Sequence, residues 1–374
     1  MIVAVILIAL VFEYINGFHD TANSIATVVA TKVLSPGQAV LLAATMNLLG
    51  AFAGTAVAKT ISSGLIDAGV LQVGAEIIIC ALAGGIVWNL VTWYLGLPSS
   101  SSHALIGGLC GAALAAAGDN WQVIIWSDPA DPWWKGGGLL WKVMIPMVTS
   151  PVAGFLLGFS IMGLLFFVIA SMHRSGGWLA SIARPRWVNA VFGKAQIVSA
   201  AAMGFAHGSN DAQKIMGIIA LALVSGASTG ALDSVPAWLA FLQPSPAALS
   251  EGAIDPWIVV VCAITMAAGT AAGGWRIIKT LGHKLVKLHP INGFAAETAS
   301  ASVILSASAL GIPVSTTHNI SAAIMGVGTA KRFNAIRWTV VERMVWAWIL
   351  TIPVTALLGY LLVRGAQGAG LIPG

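Results

Sequence analysis

Between Met1 and Arg364 the chain runs through ten apolar stretches, each close to the ~20 residues a helix needs to cross a ~30 Å hydrocarbon layer. That pattern leaves few folds open. Only 8% of the 374 residues are charged and 58% are hydrophobic, against the ~25% charged that a soluble domain carries. Lipid is the expected solvent, and the expected fold is all-α: a polytopic helical membrane protein with no length left for a separate soluble domain. The first stretch lacks a basic leader and a small-residue cleavage site and leads straight into Glu13 and the polar run Asn16 to Asn23, which reads as a retained span, not a signal peptide. Cys80, Cys110 and Cys262 lie in apolar stretches without metal-ligand spacing, so they read as packing residues. The net charge of +5 sits in short segments between spans, where orientation in the membrane accounts for it and nucleic acid is not needed.

The chain also repeats itself. GFHDTAN at 17–23 returns as HGSNDAQK at 207–214, TMNLLGAFAGTAVAKT at 45–60 as TMAAGTAAGGWRIIKT at 265–280, and GLPSSSSH at 96–103 as GIPVSTTH at 311–318. Corresponding loops carry opposite charge. Ala58 to Glu76 holds Lys59, Asp67 and Glu76, while its mate holds Arg276, Lys279, Lys284 and Lys287; Gly118 to Lys135 is acidic, while its mate holds Lys331, Arg332 and Arg337. Because cytoplasmic loops are rich in Lys and Arg, the copies are expected to enter the bilayer in opposite senses. The chain then divides into 1–170 (first repeat and connecting span), 171–194 (basic cytoplasmic linker) and 195–374 (inverted second repeat and final span). This five-plus-five arrangement places both termini outside the cytoplasm, and inverted repeats with helices broken at midplane are the architecture of secondary transporters.

Four polar runs are read as interruptions of spans and so as the candidate site, since non-helical backbone at membrane depth survives only in protein or along a cavity. The first run carries Asp20 with Asn16 and Asn23, the second Asp211 with Asn210, Gln213 and Lys214; their carboxylate and amide oxygens are hard ligands for a small cation such as sodium, and the carboxylates are equally able to cycle a proton. The plainer reading is that they cap half-helices or pair with Lys214. Ser99 to Ser102 and Ser315 to Thr317 follow helix-breaking prolines, and two helix N-termini with adjacent hydroxyls would cradle a small tetrahedral oxyanion without arginine; simple N-capping is the alternative. His103 and His318 fall on the first turns that follow, as anion contacts, proton shuttles or buried neutral rings. His19 and His207 flank the aspartates without being repeat mates. Glu297 is either an ion site or the acceptor of interhelical hydrogen bonds. Lys59 and Lys279 are expected to snorkel, and tryptophans including Trp133, Trp134 and Trp141 to anchor an outer boundary.

At these motifs the sequence resembles the inorganic phosphate transporter (Pit) family over nearly its whole length. NGFHDTANSIAT at 16–27 and AHGSNDAQK at 206–214 resemble its paired signatures, and LPSSSSH and IPVSTTH its hydroxyl motifs. The resemblance implies phosphate symport with sodium or protons, in the inner (plasma) membrane, with no enzymatic activity. It assigns Ser100, Ser101, Ser102, Ser315, Thr316 and Thr317 to phosphate, and Asp20, Asn23, Asn210, Asp211 and Gln213 to the ion-coupled part. His19 marks the bacterial type, some of which use protons and take phosphate with a divalent metal. Some relatives carry sulfate, so a sulfate permease is the nearest alternative, and an anion channel the next. A homodimer is compatible with the sequence, although no motif demands one. An enzyme would need a base for serine, and Ser102 and His103 point ~100° apart on a helix.

Overall fold

The computed structural model describes residues 1–63, 65–67, 70–71, 73–130, 136–233 and 235–372; Trp133 and Trp134 lie outside them. Its described residues form helices, and β-structure is limited to the isolated bridges Ile66 to Ile124 and Asp128 to Gly137. In chain order the helices are α1 (Ile2–Ala30), α2 (Pro36–Ala51), α3 (Ala56–Ser63), α4 (Ala75–Leu95), α5 (Ser101–Ala116), α6 (Ile145–Arg174), α7 (Gly177–Ile182) and α8 (Pro185–Ser228). They continue with α9 (Pro246–Glu251), α10 (Pro256–Ala272), α11 (Trp275–Lys279), α12 (Pro290–Ala309), α13 (Thr316–Lys331) and α14 (Trp338–Gly368). Local chemistry sets the ends. Ser35 and Gln38 form a capping box ahead of Pro36, and Gly96 closes α4 at φ +66°, a backbone conformation that costs glycine nothing.

The centre is the antiparallel pair α1 and α8. Ile2 at the start of α1 meets Gly226 near the end of α8, while Thr31, just past α1, bonds Gln196 near the start of α8. Against this pair lie two helical hairpins, α4 with α5 and α12 with α13, which approach from opposite ends. Phe12 packs on Gly85 of the first hairpin, and Thr27 bonds Glu297 of the second. The short arms α5 and α13 have 16 residues each, about 24 Å of helix at 1.5 Å per residue. Every residue from Ser101 to Ala113, and from Thr316 to Gly328, is buried. A helix buried on every side, with its polar residues gathered in the first turns, belongs inside protein, and here α14 packs on α5 while α6 packs on α13. The fit needs glycine: a Cβ on Gly111 would collide with the Ala356 carbonyl, and one on Gly326 with the Phe155 carbonyl. Outermost, α6 and α14 expose Leu156, Phe167, Trp346 and Leu357, the side chains of a lipid-facing wall.

Two differences from the sequence reading have physical causes. Among the described residues, four helical segments are long and apolar enough to cross a membrane, or six if each of two bent pairs is one span; α5 and α13, of 16 residues each, are too short to cross by themselves. Second, α1 and α8 run unbroken through Asp20 and Asp211. Those polar runs are not interruptions, because their side chains are satisfied by neighbouring helices while the backbone keeps its own hydrogen bonds. The breaks lie instead between α2 and α3, bent by 71°, between α10 and α11 at Gly273 (φ +74°), and at the two hairpin tips. Across 171–194, α6 extends to Arg174, α7 follows, and α8 begins at Pro185.

Charge separates by face. The Arg337 amide bonds the Leu285 carbonyl, and Lys287, His289, Lys331 and Arg332 line one cavity of about 170 Å³ beside them. At the far end of α14, Arg364 pairs with Asp119 at 2.7 Å, and Lys59 reaches the Glu251 carbonyl at 3.4 Å.

Candidate functional site

Both hairpin tips end in the same device. Ser100 Oγ accepts the His103 amide and Ser315 Oγ accepts the His318 amide, each at 3.2 Å. For these two serines the N-cap reading holds. The hydroxyls that follow are free to look across the molecule, and the first-turn amides beside them have no intrahelical acceptor.

Those hydroxyls meet the aspartates. Ser101 Oγ donates to Asp20 Oδ2 at 2.7 Å, and Thr316 Oγ1 donates to Asp211 Oδ2 at 2.8 Å. The second tip also crosses to the first copy: Thr317 Oγ1 lies 3.4 Å from Asp20 Oδ1, and Asn23 Nδ2 donates to Thr316 Oγ1 at 3.1 Å and Thr317 Oγ1 at 2.8 Å. Lys214 Nζ pairs with Asp211, donates to Ser102 Oγ on the first tip, and reaches the Val314 carbonyl on the second at 2.8 Å. One cluster thus joins α1, α8 and both hairpins. Asp20 is 2% exposed and Asp211 0%, so both carboxylates are buried where a charge needs partners.

Each aspartate has its own histidine although the two are not repeat mates. His19 Nδ1 is 2.6 Å from Asp20 Oδ1, and His207 Nε2 is 2.9 Å from Asp211 Oδ2. Asp20, His207 and Asp211 present ligand atoms within 4.8 Å of one another, close enough to share a small cation. Around the cluster, the first tip offers Ser101 and Ser102 and the second Thr316 and Thr317. Such a set of hydroxyl and amide donors beside carboxylates is suited to an oxyanion and a cation held together.

A family model described as the phosphate transporter family matches residues 16–359, a region that begins at Asn16 and takes in both aspartates and both hairpin tips. The chain belongs to the phosphate transporter family. Among its relatives, a protein of Bacillus subtilis (strain 168) named a probable low-affinity inorganic phosphate transporter is 40% identical, with 96% of this chain and 94% of that protein covered. One of the same name from Rhizobium meliloti (strain 1021) is 43% identical over 98% and 97%. A solved structure titled the sodium-dependent phosphate transporter shares the fold, with a TM-score of 0.75 and 24% identity over 97% of this chain and 99% of that one.

In this member of the phosphate transporter family, several residues singled out by sequence stand away from the central cluster. Asn210 latches the second hairpin: it donates to Ser308 Oγ at 2.9 Å and to the Ile312 carbonyl at 3.2 Å, and accepts the Val314 amide at 3.2 Å. Its repeat mate His19 does the same for the first, with Nε2 3.1 Å from Thr92 Oγ1 and 3.5 Å from Ser99 Oγ. Gln213 Oε1 accepts the Val57 and Ala58 amides at 2.8 and 3.4 Å, capping α3 after its break. Glu297 binds α12 to α1 and α8 by accepting from Thr27, Ser199 and Gln196, the interhelical bonding foreseen as its plainer role. His103 and His318 face each other at 4.9 Å between ring centroids, and Trp348 stacks on His318 at 4.2 Å. Lys214, treated in sequence only as a partner for Asp211, proves to be the hub of the cluster. Its i, i+3 spacing from Asp211 on one helix was the available signal.

Proposed function

We propose that this chain carries inorganic phosphate across the membrane with a cation, sodium or a proton, by alternating access of the buried cluster to either side. The observation that carries this reading is the convergence of two hairpin tips from opposite ends on a pair of aspartates. An anion-binding element and a cation-binding element in contact give obligatory coupling a physical basis, because either charge alone is costly to bury and the two together neutralise each other. The phosphate ligands are Ser101, Ser102, Thr316 and Thr317 with their first-turn amides, while Ser100 and Ser315 hold the turns. The cation lies at Asp20 with Asn23, and Asp211 belongs to the same electrostatic unit.

The antiparallel α1 and α8, and hairpins that enter from opposite ends, support an inverted repeat. Rocking of one copy against the other would then open the cluster to one face at a time. The face carrying Lys287, Lys331 and Arg332 is the cytoplasmic one by the positive-inside rule, which puts both termini of an inner-membrane protein on the other side. Phosphate is favoured over sulfate because, near neutral pH, phosphate still carries a proton to donate to Asp20, whereas a fully ionised sulfate would meet that carboxylate with repulsion alone.

Proteoliposomes holding the purified chain test the reading. Uptake of labelled phosphate that saturates, follows an imposed sodium or proton gradient, and survives excess sulfate is expected. Flux that ignores both gradients would leave the channel alternative standing.

A further inference from the structure

The two aspartates occupy equivalent repeat positions but unequal electrostatic ones. Three residues beyond Asp20 stands Asn23; three beyond Asp211 stands Lys214. The Lys214 ammonium, 3% exposed, is held by a carboxylate, a hydroxyl and a backbone carbonyl: Asp211 Oδ1, Ser102 Oγ and Val314 O. These come from three segments of the chain, and carboxylate, hydroxyl and carbonyl oxygens are the donor set that transporters present to a small hard cation. At the other aspartate, the residues that touch the carboxylate are His19, Ser101 and Thr317. There, Asn23 spends its amide hydrogens on Thr316 and Thr317, and its Oδ1, on a side chain 1% exposed, is buried without a hydrogen-bond partner. An unpartnered buried oxygen one helical turn from a carboxylate on the same helix is an acceptor that a small cation would satisfy.

We propose that Lys214 is a tethered counter-cation, which fills at Asp211 the place that a mobile coupling cation takes at Asp20. The inference rests on the cation-coupled reading above and sharpens it. The chain supplies one cation covalently, so each phosphate is accompanied by one fewer mobile cation than two bare aspartates would require. The tether also reaches both hairpin tips, so the fixed charge lies beside the anion-binding hydroxyls.

The test is the ratio of cation to phosphate taken up by proteoliposomes, read with labelled sodium, a trapped pH indicator and labelled phosphate together. Lys214→Asn, which copies the mate position, and Lys214→Gln are expected to raise the ratio by one monovalent cation per phosphate. Their uptake falls about tenfold or more at low sodium or high external pH and recovers as the cation is raised. Lys214→Arg keeps the charge and must keep the wild-type ratio, so a changed ratio there overturns the proposal even when the neutral variants fail to insert. An unchanged ratio in either neutral variant overturns it as well, as does transport that an inserted neutral variant has lost and no cation concentration restores. Absence of gradient-driven uptake by the wild type would instead defeat the coupled reading itself, independently of Lys214.

Discussion

Asp20 accepts from Ser101 at 2.7 Å and lies 2.6 Å from His19, so it is held by groups that a bound anion would have to share. A carboxylate at membrane depth costs at least ~2.5 kcal/mol on insertion scales, a cost that a cation, or a hydrogen bond from a protonated phosphate, offsets. Asp20→Asn is therefore expected to lose the preference for phosphate over sulfate, measured by competition in uptake; unchanged selectivity would sink the argument that phosphate's own proton is read here. Glu297 has a different character, because its three donors come from α1 and α8. Glu297→Ala strands those donors, and an unsatisfied buried polar group costs ~1–3 kcal/mol. A lowered melting temperature in detergent is expected, and a melting curve like the wild type's would show that Glu297 does not tie the three helices together.

At the scale of elements, the hairpin tips are kept open by latches from α1 and α8. Asn210→Ala removes three hydrogen bonds from the break before α13. It is expected to weaken phosphate affinity by roughly tenfold, about 1.4 kcal/mol, without touching phosphate, and an unaltered affinity would contradict the latch. The tips themselves were legible in the sequence, since Pro98 and Pro313 stop a helix and the hydroxyl runs start one. The polar runs at Asp20 and Asp211 misled, because a run of His, Asp, Asn and Gln looks the same on a broken helix as on an intact helix surrounded by partners. The breaks after α2 and after α10 lie inside the repeated segments 45–60 and 265–280, where the repeat aligns Gly54 with Gly274, next to the break at Gly273; but glycine inside an apolar stretch is also what close helix packing uses, as Gly111 and Gly326 demonstrate. No pattern within one segment could reveal that Gln213 caps α3 or that Lys214 reaches the opposite hairpin; both depend on which helices become neighbours.

For the whole molecule, the layers follow from burial: the fully buried α5 and α13 at the site, α6 and α14 outside them, and basic segments gathered at one face. Composition announced the lipid-facing wall, and the charge signs of paired loops announced the two faces. A single cysteine placed at Lys287 is expected to react with a membrane-impermeant thiol reagent only in inverted vesicles, and one at Gln122 only in right-side-out cells, both in a background without the three native cysteines. The reverse pattern would overturn the orientation while leaving the site intact. Residue, element and whole molecule meet at the two tips, which are proposed to hold phosphate jointly. Equilibrium dialysis of labelled phosphate against the purified chain and its Ser101→Ala/Thr316→Ala variant tests this joint hold most directly. Ser101 and Thr316 donate to the aspartates here; turned to phosphate, each makes a hydrogen bond to a charged group, worth ~1.5–3 kcal/mol, so saturable binding by the wild type should weaken at least about tenfold in the double variant, and binding of equal affinity in both would contradict a phosphate site built from the two hairpins.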